Sequence, residues 1–359
     1  MKPGSQEQRI PKVEDAEVLW DLIDRCLLPV LFSHAAAIIL STLLNVLRIS
    51  QVSTVSLFII FLGLTLAVTL FYHNLKVSTA GKYIIVTGCE SKIGYAVAKH
   101  LDELGLSVFA GFANSIEGKI KLKNECSGRL QTIDLDVSNE RSIAAAVTYI
   151  QQHTKGIWCI VNTGTWSVFG HSEWVPPSVY RKTLESNLIG LIHLNKAFLP
   201  LIRKTKGRIV NITSILGRIP AGIRSPICVI TSALQSYTEC LRIDMRKWGV
   251  DVILVETGHT TTAAWYDKKA MLDEAREMWT GLTDDQRNDY PEDYFERQIR
   301  NLGEYRTEST DMTALLRTIG DAVTRTFPLG RYTPVTKKEK LQSLVAYHLP
   351  HSVYSILYG

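Results

Sequence analysis

Between a short β-branched stretch and an amphipathic one, the chain carries Val86-Thr87-Gly88-Cys89-Glu90-Ser91-Lys92-Ile93-Gly94. A strand that turns through glycine into a helix aims backbone N–H groups, and the positive end of the helix dipole, at one point. That arrangement can cradle the pyrophosphate of a dinucleotide. Other residues of chemical interest do not assemble from spacing. His348 and His351 have the spacing of metal ligands, but no carboxylate or third ligand stands beside them, so no metal is expected. Tyr95 and Lys99 form a Tyr-x-x-x-Lys string inside the helix that follows the glycine turn and read as coincidence. Cys26, Cys89, Cys126, Cys159, Cys228 and Cys240 lie far apart, with no CxxC pair, which disfavours a zinc module or a disulfide framework and suits a reducing compartment.

The elements that must position the turn follow from hydropathy. Of 359 residues 46% are hydrophobic and 21% charged, enough apolar surface for a core and too much for a disordered chain. Forty basic against 35 acidic side chains leave +5, spread along the chain, so nucleic acid is not an expected partner. From Gly81 short apolar runs alternate with amphipathic stretches. Strands are expected at Tyr83–Thr87, Ser107–Phe112, Leu130–Asp134, Ile157–Asn162, Ile209–Ser214 and Val250–Glu256. Helices are expected from about Ile93 to Leu104, at Tyr180–Ile202 and at Ile227–Trp248. This alternation specifies an α/β fold with a doubly wound parallel sheet. Asp267–Thr310 is highly charged and reads as exposed helices, and Leu344–Tyr358 as an apolar, aromatic tail, packed or dipping into a membrane. The Asn211-Ile212-Thr213 sequon falls in an expected core strand and should be inaccessible.

The N-terminal region differs. Residues 1–25 are polar, Cys26–Leu47 carries no formal charge, Arg48 interrupts, and Val52–Tyr72 is again uncharged. Each run has about the ~20 residues a helix needs to cross a hydrocarbon core, and a two-helix hairpin is favoured over a single anchor. A secretory signal would lie nearer the start behind a basic front. The bases preceding the hairpin place the globular part on the cytosolic face. The expected division is a polar segment 1–25, an anchor 26–72, a globular domain 81–335 with substrate-covering segments from 263, and a tail 336–359.

The Thr87–Gly94 turn resembles the TGxxxGxG of the short-chain dehydrogenases/reductases, and further motifs follow in order. Asp134-Leu135-Asp136-Val137 is similar to that family's adenine-contacting turn, and Trp158–Gly164 to its strand ending in NNAG. Asn187-Leu188-Ile189-Gly190 is similar to the helix with its structural and catalytic Asn. Gly207–Ser214 is similar to the strand ending in the catalytic Ser, and Glu256-Thr257-Gly258 with Thr262 to the turn beside nicotinamide. The resemblance covers residues 81–262 and implies a Rossmann-type domain. Leu216-Gly217-Arg218-Ile219-Pro220, Tyr332 and Leu349-Pro350 resemble the membrane-bound retinol, hydroxysteroid and type 1 3-hydroxybutyrate dehydrogenase branch. It implies that Thr87, Gly88, Ser91, Lys92, Ile93, Gly94, Asp136, Val137, Asn162, Gly164, Gly258 and Thr262 would hold NADP or NAD. It also implies a steroid-, moulting-hormone- or retinoid-like substrate and a homodimer through the helices at Tyr180–Ile202 and Ile227–Trp248. The membrane implied is that of the endoplasmic reticulum, a mitochondrial one being the alternative.

The departures bear on mechanism. Family spacing puts the active-site Tyr thirteen residues after the Ser and the Lys four later, which from Ser214 gives Ile227 and Thr231. The Tyr exchanges the proton as hydride moves, and the Lys cation lowers its pKa and holds the nicotinamide ribose. Isoleucine has no proton to give, and threonine lacks the charge and the reach. Tyr237, roughly 15 Å further along the helix, is too distant. His259, following Gly258, is the one substitute in the right loop. Lys92 at the second glycine position either narrows the groove or meets a phosphate, which tilts the expectation to NADP, and the residues Phe112-Ala113-Asn114 offer no ribose-binding acid. Thr257 and Thr163 replace the family's Pro and Asn. The leading expectation is a member with impaired or lost hydride transfer that binds a nucleotide or a lipid. The alternatives are an active oxidoreductase with reassigned proton-transfer groups, and a membrane scaffold.

Overall fold

The computed structural model describes residues 16–164, 168–219, 221–258, 268–291, 293–298 and 311–358. The expected site residues His259 and Thr262 lie outside them. The chain divides into two compact units, Met1–Val77 with Arg325–Phe327, and Ser78–Thr324 with Pro328–Gly359.

In the first unit, α1 (Ala16–Val46) and α2 (Thr54–Asn74) form the expected hairpin. The stretches Cys26–Val46 and Thr54–Asn74 are long and apolar enough to cross a membrane, with mean hydropathies of 2.1 and 2.4. Apolar faces alone do not hold two helices together in lipid, where buried polar contacts help. Ser33 donates to the Pro29 carbonyl (2.8 Å) and lies 2.7 Å from the Thr65 hydroxyl, and Ser41 pairs with Thr54 at 2.8 Å. His34 meets Phe58 edge-on, so Ser33, His34 and Ser41 face the second helix. Leu75 accepts from the Thr326 N–H, which brings Arg325–Phe327 into this unit.

The second unit is built on seven parallel strands: β1 (Tyr83–Val86), β2 (Ser107–Phe112), β3 (Gln131–Asp134), β4 (Cys159–Asn162), β5 (Arg208–Ser214), β6 (Asp251–Thr257) and β7 (Arg331–Tyr332). Their order is β3-β2-β1-β4-β5-β6-β7. Strand order reverses between β1 and β4, and in such sheets the crevice beyond that point takes the ligand. The described helices of this unit are α3 (Lys92–Glu103), α4 (Ile116–Glu125), α5 (Glu140–His153), α6 (Pro177–Leu184), α7 (Gly190–Thr205), α8 (Ser225–Met245), α9 (Lys268–Thr280), α10 (Asp284–Asn288), α11 (Thr313–Thr324), α12 (Lys337–His348) and α13 (His351–Tyr358). Alternate strand residues feed two apolar layers. Val86, Val161 and Val210 pack with α3, α11 and the start of α8; Ile85, Ile160 and Ile209 pack with α5, α7 and the end of α8.

Three details depart from the sequence expectation. The helix expected at Tyr180–Ile202 carries a π turn, Glu185–Ile189, between α6 and α7. β7 was not expected, because two residues are too few to show a period. Within the charged stretch Asp267–Thr310, the described residues are not all exposed. Met278, Leu282 and Phe295 are buried, and Trp279, Tyr290, Tyr294 and Phe295 surround Trp174.

Below the site, at the opening of β5, Arg208 is wholly buried. It donates to the Ala322 carbonyl (2.7 Å), lies 3.4 Å from Asp251 and stacks at 5.0 Å on Trp158, whose ring also carries Lys82 at 3.6 Å. Trp158 in turn donates to the Val323 carbonyl, so two side chains pin α11 to the sheet. Arg208→Leu strips one of these carbonyls of its buried partner and should lower stability by about 2 kcal/mol in a urea titration of the purified chain.

Candidate active site

The glycine turn is built from close backbone approaches. Gly88 has φ +64°, and a Cβ there would stand 2.6 Å from the Gly164 Cα; a Cβ on Gly94 would stand 2.2 Å from the Gly88 carbonyl oxygen. Neither neighbour is a flexible side chain, so only glycine fits. Ser91 caps α3, accepting from the Gly94 N–H (3.0 Å) and donating to the Gly88 carbonyl (2.8 Å). Lys92 is the first residue of α3, exposed, with no left-handed φ, so the backbone at that position does not require glycine. Ile93 is buried in the core beneath the turn. Thr163 fills the family's Asn position by donating to the Thr87 carbonyl (2.6 Å), while its N–H reaches the Thr87 hydroxyl (3.3 Å), which ties the ends of β1 and β4 together.

Around this turn the other expected residues come together. Asp136 accepts from the Ser138 N–H and hydroxyl, and Val137 presents its carbonyl to Gly190, where a Cβ would lie at 2.4 Å. Asn187 sits buried in the π turn just before Gly190. Single π turns occur disproportionately at functional sites. Asn162 donates to Asn211 (2.8 Å), which donates to Thr238 (2.9 Å), and Asn195 reaches Tyr237 (3.3 Å). Asn211 is wholly buried, so its sequon is out of reach. Burial pushes the Glu90 carboxyl up, its backbone bonds to Glu90 and Ala113 opposing, which locates that carboxylate at the end of β2.

The end of β5 is different. Ser214 is wholly buried; its oxygen accepts from the Leu216 N–H (3.3 Å) and lies 3.5 Å from the Thr257 carbonyl. Thr257, with an N–H where the family has Pro, pairs with Ser214 at the last position of the β5–β6 ladder and donates its hydroxyl to the Thr213 carbonyl. In the first two turns of α8, Ile227 is 1% exposed and Thr231 2% exposed. The Thr231 hydroxyl lies 2.7 Å from the Ile227 carbonyl and 3.1 Å from that of Cys228, both in its own helix. Ile227 packs in the core that includes Leu216, Phe169 and Val255. Tyr237, with Asn195, belongs to the buried amide network. The chain enters α8 through Ile223, whose φ of +55° is strained for a β-branched residue.

Sequence reasoning missed an ionic cluster beside these residues. Glu256, fully buried, lies 2.9 Å from Arg218 and 3.3 Å from Arg331, which reaches on to Glu239 at 2.8 Å. Burial pushes the Glu256 carboxyl up to about 7, against the opposing pull of Arg218. The signal was present as an acid inside the apolar run of β6, but its partners lie in other elements. Glu339, in the capping box that starts α12, stands against Gly258: a Cβ there would be 2.6 Å from its carboxylate. Tyr347 of the same helix lies against Arg218. A cavity of about 600 Å³ opens between α6 and α9, lined by Val168, Trp174, Val179 and Met278 with Glu274 and Lys182; Ser214, Ile227 and Thr231 do not line it.

Comparison with known proteins agrees with the fold. Residues 82–273 match the family model described as short chain dehydrogenase. The chain is 34% identical over 296 residues to mouse "D-beta-hydroxybutyrate dehydrogenase, mitochondrial", covering 80% of this chain and 86% of that one. It is 33% identical to mouse "Estradiol 17-beta-dehydrogenase 2", covering 70% and 68%, and 28% identical to mouse "Retinol dehydrogenase 16", covering 70% and 80%. Among solved structures, a short-chain dehydrogenase from Streptomyces avermitilis superimposes with a TM-score of 0.60 at 21% identity, over 78% of this chain and 96% of that one.

A carboxyl raised in the folded state favours folding below its unfolded value and loses that contribution as pH rises through the folded one. Over the interval from 4.5 to about 7, Glu256 should therefore cost the native protein stability, by up to roughly 3 kcal/mol. Chemical unfolding across that interval should show a steeper loss for the native chain than for Glu256→Gln; parallel curves would contradict the assignment.

Proposed function

Because the chain belongs to the short-chain dehydrogenase family, we propose that it is a non-classical member, one that binds a nicotinamide dinucleotide or a lipid-like molecule while its hydride transfer is impaired or lost. The observation that carries this reading is Thr231. Its hydroxyl is tied to its own helix, one turn from an isoleucine, in the segment where family spacing requires a cation beside a phenol.

A bound dinucleotide supplies a hydride donor or acceptor; the protein must supply or take up a proton at the substrate oxygen. By resemblance Ser214 would donate a hydrogen bond to that oxygen, but relay of the proton needs an acid of tuned pKa. Ile227 offers none and Thr231 has no charge with which to tune one. Losing positioned acid–base catalysis costs typically ~10²–10⁴-fold in rate.

The residues of the glycine turn suit a pyrophosphate. Gly88 and Gly94 allow close approach, and the N-terminus of α3 lies beneath them. Asp136, Val137, Asn162 and Gly164 would complete the adenosine side. Lys92 favours NADP; the Glu90 carboxylate at the end of β2 weighs toward NAD, since it would repel a 2′-phosphate and accept from a ribose hydroxyl. The names of the estradiol and retinol relatives support a steroid, moulting-hormone-like or retinoid ligand. The α1–α2 hairpin supports attachment to a bilayer with the second unit on the cytosolic side, the endoplasmic reticulum being the proposed membrane and a mitochondrial one the alternative. Pairing of two copies through α7 and α8 is proposed by the same resemblance.

A second reading has one observation in its favour. Glu256, with its carboxyl at about 7, is a titratable group one residue from Thr257, so an oxidoreductase with reassigned proton transfer would draw on it or on His259.

Two measurements separate the readings. In a fluorescence titration of the full chain in detergent, at least one of NADH and NADPH should bind; binding of neither, with no lipid bound, favours a scaffold. The variant carrying both Ile227→Tyr and Thr231→Lys should then acquire ketosteroid or retinal reduction that neither single variant shows. Turnover by the native chain above ~1 s⁻¹, an ordinary enzymatic rate, would overturn the proposal.

A further inference from the structure

We propose that the outward face of α12 and α13 is a membrane-contact surface of the second unit, seated on anionic lipid headgroups. The proposal does not depend on catalysis, nor on α1 and α2 spanning a bilayer.

α12 does not turn a polar face outward as a helix on a water-facing surface does. It buries Ser343 and Val345 against the domain, while Leu341 is 58%, Leu344 46% and Tyr347 64% exposed. These three stand at i, i+3 and i+6, one stripe on the outward side. Past the bend at Leu349, α13 exposes Ile356 (83%) and Leu357 (58%). Gln342 donates to the Tyr354 hydroxyl at 3.1 Å, which joins the two helices into one surface. Isolated apolar side chains on a protein surface are ordinary, but a contiguous face rimmed by polar groups marks an interaction site.

Charge chooses the occupant. Lys337, Lys338 and Lys340 occupy the first turn of α12, next to the apolar stripe. Apolar side chains flanked by lysines, with Tyr347 and His348 at the far end, form the pattern of a helix lying in the headgroup–acyl boundary, its amines on anionic headgroups. Arg218 behind Tyr347 and the Glu339 capping box hold α12 on the domain, so the face is presented rigidly.

The test uses the full chain reconstituted in nanodiscs of phosphatidylcholine with phosphatidylserine. An environment-sensitive fluorescent amino acid is installed at position 344 or, separately, at 356. Asp285, exposed and polar, serves as the aqueous reference, and Leu64 in α2 as the reference for the hairpin. Emission at 344 and 356 should shift to the blue and be quenched by acyl-chain spin-labelled lipid several-fold more than at 285. Replacing phosphatidylserine by phosphatidylcholine should weaken that quenching. Emission at both positions like that at 285 would overturn the proposal. So would blue-shifted emission insensitive to the lipid quencher, which would mean that protein, such as a second copy, covers the face. Quenching at 64 without quenching at 344 and 356 would leave the hairpin reading standing and defeat this one.

Discussion

Moving a hydride to or from a carbonyl carbon leaves a proton to be placed on, or taken from, the oxygen within hydrogen-bond reach. By the family's spacing the opening turns of α8 are where that proton would be handled, and α8 packs against β5 and β6. Its side chains there are fixed by the packing of the whole sheet rather than by a loop that could adjust. With Ile227 and Thr231 in those turns, both buried and the Thr231 hydroxyl turned onto its own backbone, the segment serves packing. On the proposed reading, neither Ile227 nor Thr231 offers the acid–base function a side chain to act through.

The dinucleotide half of the site obeys a different constraint. Gly88, Gly94 and Gly190 are held by approaches to backbone atoms of Gly164, Gly88 and Val137, which the fold needs whether or not a ligand binds. Such contacts outlast a loss of chemistry, since replacing any of these glycines strains the crossing of β1, β4 and the π turn. On the proposed reading, the chain retains the cradle and gives up proton transfer at no cost to its sheet. The exposed side chain of Lys92 shows the latitude left at a position where no backbone approach is at stake.

The alternation of apolar and amphipathic segments made the six long strands and the helix after the glycine turn legible, because period two and period 3.6 are written locally. The same is true of the hairpin, whose length and lack of charge suffice. What was not legible depends on partners distant in sequence. Nothing near Glu256 announces Arg218 or Arg331, nothing near Trp174 announces the aromatic side chains from 279 to 295, and β7 is too short to carry a period. The charged composition of Asp267–Thr310 concealed the few apolar residues that bury. His259 and Thr262 lie outside the described residues, and the substitute role considered for His259 rests on sequence alone.

The central claim, that proton relay is missing while the cradle persists, is tested most directly by label transfer. The full chain would be incubated at high concentration with NADH or NADPH tritiated at the transferable position, together with ketosteroids and retinal, and tritium counted in the product alcohol. The expected result is bound nucleotide with transfer at least ~10²-fold slower than an ordinary enzymatic rate of ~1 s⁻¹. Stereospecific transfer within seconds would contradict it.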